Sequence, residues 1–122
     1  MRILSLLLFI VTIICNNSVY AKFSASEIQQ AYYKSYNYEK IGTYKDAIDT
    51  LLPLYKQYPK GYTLNLRIAY LYYLDKKYAN AGNYYNQAIK IAPNALDAKL
   101  GQLLLLIAQQ QYSKCSDLAY QV

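Results

Sequence analysis

Apolar and small residues recur at helical spacing in successive stretches of this chain, separated by short polar or Pro/Gly interruptions. The first stripe runs through Ala31, Ser35 and Tyr38 and stops at Gly42; Ser26 with Gln29 three residues on has the form of a capping box for its start. A second helix is predicted over 44–58, with Asp46 in the first turn where a carboxylate meets the positive end of the helix dipole, and Pro59, Lys60 and Gly61 as its stop. A third begins near Thr63 and carries Leu66, Ala69, Tyr70 and Tyr73 up to the polar turn Asp75-Lys76-Lys77. The fourth, over 78–91, contains Gly82, which costs about 1 kcal/mol relative to alanine, and ends before Pro93. Asn94 with Asp97 then predicts the start of a fifth helix bearing Leu100, Leu103, Leu104 and Ile107, and Tyr112 opens a last, short one.

These stretches are copies of one pattern with a period of 34 residues. Ser35, Ala69 and Leu103 share a column, as do Tyr38, Tyr72 and Leu106, then Tyr44, Tyr78 and Tyr112, then Ala47, Ala81 and Cys115, and finally Pro59 with Pro93. Small, large, aromatic, small and proline positions in this order, repeating at 34, resemble the tetratricopeptide repeat family over residues 28–122. The resemblance implies an all-α helix-turn-helix solenoid of about three repeats, 28–61, 62–95 and 96–122, the last incomplete. Leu118, Ala119 and Val122 fall where a solenoid usually places a polar cap. Either the sequence is a piece of a longer repeat protein, or a partner or second copy covers that end.

In the family, the first helix of each repeat lines a concave face. Carried over residue by residue, the resemblance places Tyr32, Tyr36, Leu66, Tyr70, Tyr73, Leu100, Leu104 and Ile107 on a groove, with Gln29 and Arg67 beside them. Tyrosines offer wide apolar area, a hydroxyl and little rotamer entropy to lose, which suits recognition of a protein or peptide segment; packing against neighbouring helices is the competing role for such a stripe. One branch of the family grips a ligand carboxylate with lysine, asparagine and arginine on these helices. Here Tyr32, Tyr36, Asp97 and Gly101 stand at those positions, leaving Arg67 as the one residue able to make a charge-assisted bond to a carboxylate. An apolar or aromatic partner segment is the implied ligand.

Residues 1–21 stand outside the repeat. Arg2, an apolar stretch over 3–15 and the ending Val19-Tyr20-Ala21 make an export signal, with cleavage expected after Ala21 and a periplasmic or secreted location for the remainder. Thirteen residues span about 20 Å as a helix against a hydrocarbon core of about 30 Å, so a stable membrane span is not expected. Ile14 is too bulky for the residue preceding a lipidated Cys15.

Charge and chemistry narrow the function classes further. The full chain carries a net charge of +6, and loss of Arg2 with the leader leaves about +5, scattered without a run longer than Lys76-Lys77. Solvated helix faces account for that distribution, and no nucleic-acid partner is expected. There is no histidine, the seven acids form no metal-binding or paired-carboxylate motif, and no Gly-rich phosphate loop occurs. The expectation is a non-enzymatic module without metal or cofactor. Cys115, the one cysteine beyond the leader, shares the small column with Ala47 and Ala81 and is expected to pack there rather than bridge.

The sequence thus leads to an exported scaffold that binds a partner protein or peptide. A self-associating structural role through the uncapped last helix and a glycan-binding role are its alternatives. N-terminal sequencing of the fractionated protein is expected to return a chain beginning at Lys22 outside the cytoplasm; a chain that retains earlier residues contradicts the export reading.

Overall fold

The structure, a computed structural model, describes residues 22–110 and 112–122, without the side chains of 112, 113, 115 and 116. The export signal expected over 1–21 and the packing expected of Cys115 therefore lie outside the described residues. What is described is all-helical, with no strand: α1 (Ala25–Lys40), α2 (Tyr44–Gln57), α3 (Tyr62–Leu74), α4 (Tyr78–Ile91), α5 (Leu96–Ala108) and α6 (Tyr112–Ala119). Each helix packs on its neighbour in sequence, and α3 also touches α5, which makes a helical repeat solenoid.

The period of 34 is written into the backbone as well as the side chains. The first helix of each pair ends at Lys40, Leu74 and Ala108, and the second begins at Tyr44, Tyr78 and Tyr112. Between them Gly42, Lys76 and Gln110 occupy the left-handed region, with φ of 78°, 59° and 59°. Their amides donate to the carbonyls of Glu39, Tyr73 and Ile107 at 3.0, 3.0 and 2.9 Å, and the next amides, of Thr43 and Lys77, donate to Tyr38 and Tyr72 at 3.0 and 2.9 Å. This pair of bonds closes a helix end by satisfying carbonyls that have no intrahelical partner. The polar run Asp75-Lys76-Lys77 also marks a turn in sequence, but only Gly42 is of a residue type that favours the left-handed conformation. Lys76 and Gln110 adopt the same conformation against the Cβ penalty because the packed helix pair fixes the turn around them.

Two helix starts differ from the sequence expectation. α1 begins earlier, capped by Ser24 and not Ser26: the Ser24 hydroxyl accepts from the Glu27 amide at 3.2 Å, and the Glu27 carboxylate accepts from the Ser24 amide at 2.6 Å. Both serines fit the box pattern, but Ser24 is paired with a carboxylate, a stronger acceptor than Gln29 and one the helix dipole favours. These bonds hold the Glu27 carboxyl below its ordinary range. At α5 the expected cap Asn94 is passed over, and Ala95 occupies the cap position without any side-chain bond. Pro53, exposed within α2, leaves one ladder bond unmade without ending the helix.

Packing divides into two connected cores. In the first, Ala47, Ile48, Leu51 and Leu54 of α2 meet Leu64, Ile68 and Leu71 of α3, with Ile28, Ala31 and Tyr32 of α1 against them. In the second, Ala69, Ala81, Ala88 and Ala98 surround the ring of Tyr85 beside Leu105. α3 contributes to both, so its apolar residues encircle it. Tyr72 and Tyr84 bridge the cores, stacked at 5.5 Å, and Tyr55 meets the edge of Tyr84 at 5.2 Å. Buried Asn65 ties the link between repeats to α3 by donating from Nδ2 to the carbonyls of Pro59 and Gly61, both at 2.9 Å.

Of the face expected to pair with the second helices, Ser35 and Ala69 are fully buried, whereas Tyr38 at the end of α1 is exposed. Ala47 and Ala81 have no accessible surface, while the Lys45 side chain is 75% exposed. Ala47→Leu or Ala81→Leu is therefore expected to cost about 1–3 kcal/mol by overpacking, and Lys45→Leu no more than about 0.5. Thermal midpoints of the three variants check the register directly.

Candidate functional site

Successive first helices present the same face to one cleft of about 420 Å³. From α3 come Thr63, Leu66, Arg67 and Tyr70; from α5 come Asp97, Leu100, Gly101 and Leu104, each 34 residues after its counterpart. Spacing of i, i+3, i+4 and i+7 puts each set on one side of its helix, over about 10 Å of axis. Tyr36 of α1 closes one wall, and Tyr85 of α4 reaches the lining from below. The lining is graded, with Thr63 and Asp97 at the end nearer the helix N-termini, leucines in the middle, and Tyr70 with Leu104 beyond. Tyr36, Tyr70, Leu100 and Leu104 are all exposed large apolar side chains.

Gly101 and Tyr85 fix the depth of this cleft. Tyr85 occupies the repeat position of Leu51, a larger side chain in the place of a smaller one, and is 2% exposed. A Cβ on Gly101 would lie within 2.8 Å of Tyr85 Cδ1 and nearer still to Cε1 and Cζ. Glycine is the residue that lets the ring and α5 share this space.

Arg67 is not available as a free cation. Its guanidinium is 8% exposed, paired with the Glu39 carboxylate, and donates from Nη2 to Ser35 Oγ at 3.3 Å. It also lies 4.0 Å over the Tyr36 ring. Arg67, the one residue that the resemblance left able to bond a ligand carboxylate, instead forms a clamp joining α1 to α3, which sets Tyr36 beside the cleft. Because Glu39 is itself largely buried, losing either partner would leave a poorly solvated charge.

Six of the ten residues that the resemblance places on or beside the groove thus come together, Tyr36, Leu66, Arg67, Tyr70, Leu100 and Leu104, while exposed Gln29 does not line the cleft. Tyr32 lies apart, half-buried against the first core in a smaller recess with Ile28, Leu54 and Tyr58, where burial raises its hydroxyl pKa. Tyr73 stacks on Tyr70 at 6.2 Å and packs on the second core, and Ile107 is exposed one turn beyond the cleft. Of the other lining residues, Thr63, Asp97, Gly101 and Tyr85, the resemblance marked Asp97 and Gly101 only as standing where one branch of the family has lysine and arginine, and Thr63 and Tyr85 not at all. The first three were accessible to periodic reasoning, one helical turn before or one residue after the leucines; Tyr85 was not, since it comes from a second helix.

Among the described residues no group of acids and cysteines could hold a metal ion, and no helix is long and apolar enough to cross a membrane. Comparison with protein-family models and with curated proteins gave no match.

Burial, and then the neighbouring Tyr70 and Tyr73, push the Tyr85 hydroxyl up to about 12. The unfolded chain releases this proton near pH 10, its ordinary value, and the folded chain only near 12. The neutral ring's contribution is therefore complete below pH 10 and is lost as pH rises from 10 to about 12, on the order of 2–3 kcal/mol. Denaturant titrations across that window should show a shallower loss for Tyr85→Phe than for the unaltered protein. Tyr32 and Tyr84, which burial also raises, and Lys45, raised by its bond to Asp49, contribute to what remains.

Proposed function

We propose that this protein is an exported, tetratricopeptide-type scaffold whose cleft holds an apolar segment of a partner protein. The observation that carries the reading is the cleft itself: repeat-equivalent faces of α3 and α5 with exposed Tyr36, Tyr70, Leu100 and Leu104 around about 420 Å³. Binding on this reading is pre-organised. The Arg67–Glu39 clamp and the Tyr85–Gly101 contact hold the walls before a partner arrives, so few side chains are ordered on association. The lining offers large apolar and aromatic surfaces of the kind that dominate protein recognition, and only one hydroxyl and one carboxylate at its polar end.

The test is capture of a partner from envelope extract by the immobilised protein and its Tyr36→Ala/Tyr70→Ala variant. Affinity for the captured partner is expected to fall by more than about 1 kcal/mol per important tyrosine, with helicity unchanged. If binding survives in the double variant and Leu118→Lys abolishes self-association instead, the assembly role replaces the groove role. Unfolding of the double variant would show that these tyrosines are core.

A further inference from the structure

We infer that the segment taken by this cleft is cationic as well as apolar, with a lysine or arginine set against Asp97 and a bulky apolar residue against Tyr70 and Leu104; the inference rests on the groove reading above. Two ionisable residues of fixed charge line the cleft, Arg67 and Asp97. Arg67 is buried and neutralised by Glu39, so it has no charge to offer a ligand. Asp97 is exposed, and among the described residues its carboxylate has no ion pair or hydrogen bond. Asp97 is therefore the one unpaired side-chain charge lining the cleft, partly offset by the positive end of the α5 dipole, in a chain whose net charge is +6.

The geometry says which part of a ligand meets that charge. Asp97, Leu100, Gly101 and Leu104 follow one another along one face of α5, so the carboxylate stands at one end of an apolar track about 10 Å long. Thr63, the equivalent residue of α3, adds a hydroxyl acceptor at the same end. A lysine or arginine side chain matches this layout, since its methylene stem can lie along Leu66 and Leu100 while its charged head remains at the wetter, acidic end. An acidic segment would set its carboxylate beside Asp97 with no free cation in the cleft to compensate, and such like-charge contacts are costly at interfaces. The overall positive charge acts in the opposite direction, but at physiological salt it is screened beyond about 8 Å, so the contact charge decides.

Panning a random peptide library displayed on phage against the protein, its Asp97→Asn and Asp97→Lys variants and Tyr70→Ala tests this, with circular dichroism confirming that each variant is folded. The expected result is enrichment of peptides with lysine or arginine next to a large apolar residue. Synthetic copies should bind Asp97→Asn and Asp97→Lys at least about tenfold more weakly, and a lysine-to-glutamate copy should recover binding on Asp97→Lys. Acidic or uncharged peptides on the unaltered protein, or peptides lost on Tyr70→Ala yet indifferent to both Asp97 variants, would overturn the cationic inference and leave the groove reading standing. No enrichment at all, or peptides retained by Tyr70→Ala, would overturn both.

Discussion

The contact between the Tyr85 ring and the bare backbone of Gly101 is the constraint on which the second half of the molecule depends. The first core is filled by branched aliphatic side chains from both helices, Ile48, Leu51 and Leu54 against Leu64, Ile68 and Leu71. The second has alanines at Ala69, Ala81, Ala88 and Ala98, and one tyrosine supplies the missing volume. Close-packed interiors tolerate such an exchange only if the total volume is conserved. Gly101 is what conserves it, and because it is also a residue of the cleft, core packing and the shape of the surface are set by the same pair.

Arg67 has a comparable double position. It sits in the repeat column of Gly101, yet turns its charge inward to Glu39 and Ser35 and its guanidinium face to Tyr36. A buried ion pair is a weak source of net stability, because desolvation offsets much of the attraction, but it specifies which groups must meet. Here it specifies the placement of α1 relative to α3. Removing the positive charge from ligand contact also leaves Asp97 as the charge a ligand meets, so a structural pairing determines the electrostatic character of the cleft.

Six of the tyrosines take three distinct roles by environment. Tyr55, Tyr72 and Tyr84 join the two cores through edge and stacked contacts, Tyr85 fills the space between α4 and α5, and Tyr36 and Tyr70 are exposed beside the cleft. One residue type serves in all three because its ring buries like an apolar group while its hydroxyl tolerates water. Composition could not have separated them.

By itself the sequence determined the all-helical class, the period of 34, the starts of α2 and α4 at Tyr44 and Tyr78, and the small positions Ala47 and Ala81. All of these depend on spacing within a helix or on one repeated column, and such regularities are local. Through the family resemblance it also implied that Tyr36, Leu66, Tyr70, Leu100 and Leu104 share one face, which the common register of the first helices permits. The tertiary structure decided the rest: the choice of Ser24 over Ser26, the left-handed turns at Lys76 and Gln110, the inward pairing of Arg67, the departure of Tyr32 from the cleft, and the arrival of Tyr85 within it. Each of these depends on the volume and charge available where two or three helices meet. That sum involves residues tens of positions apart, and no single stretch of the chain contains it.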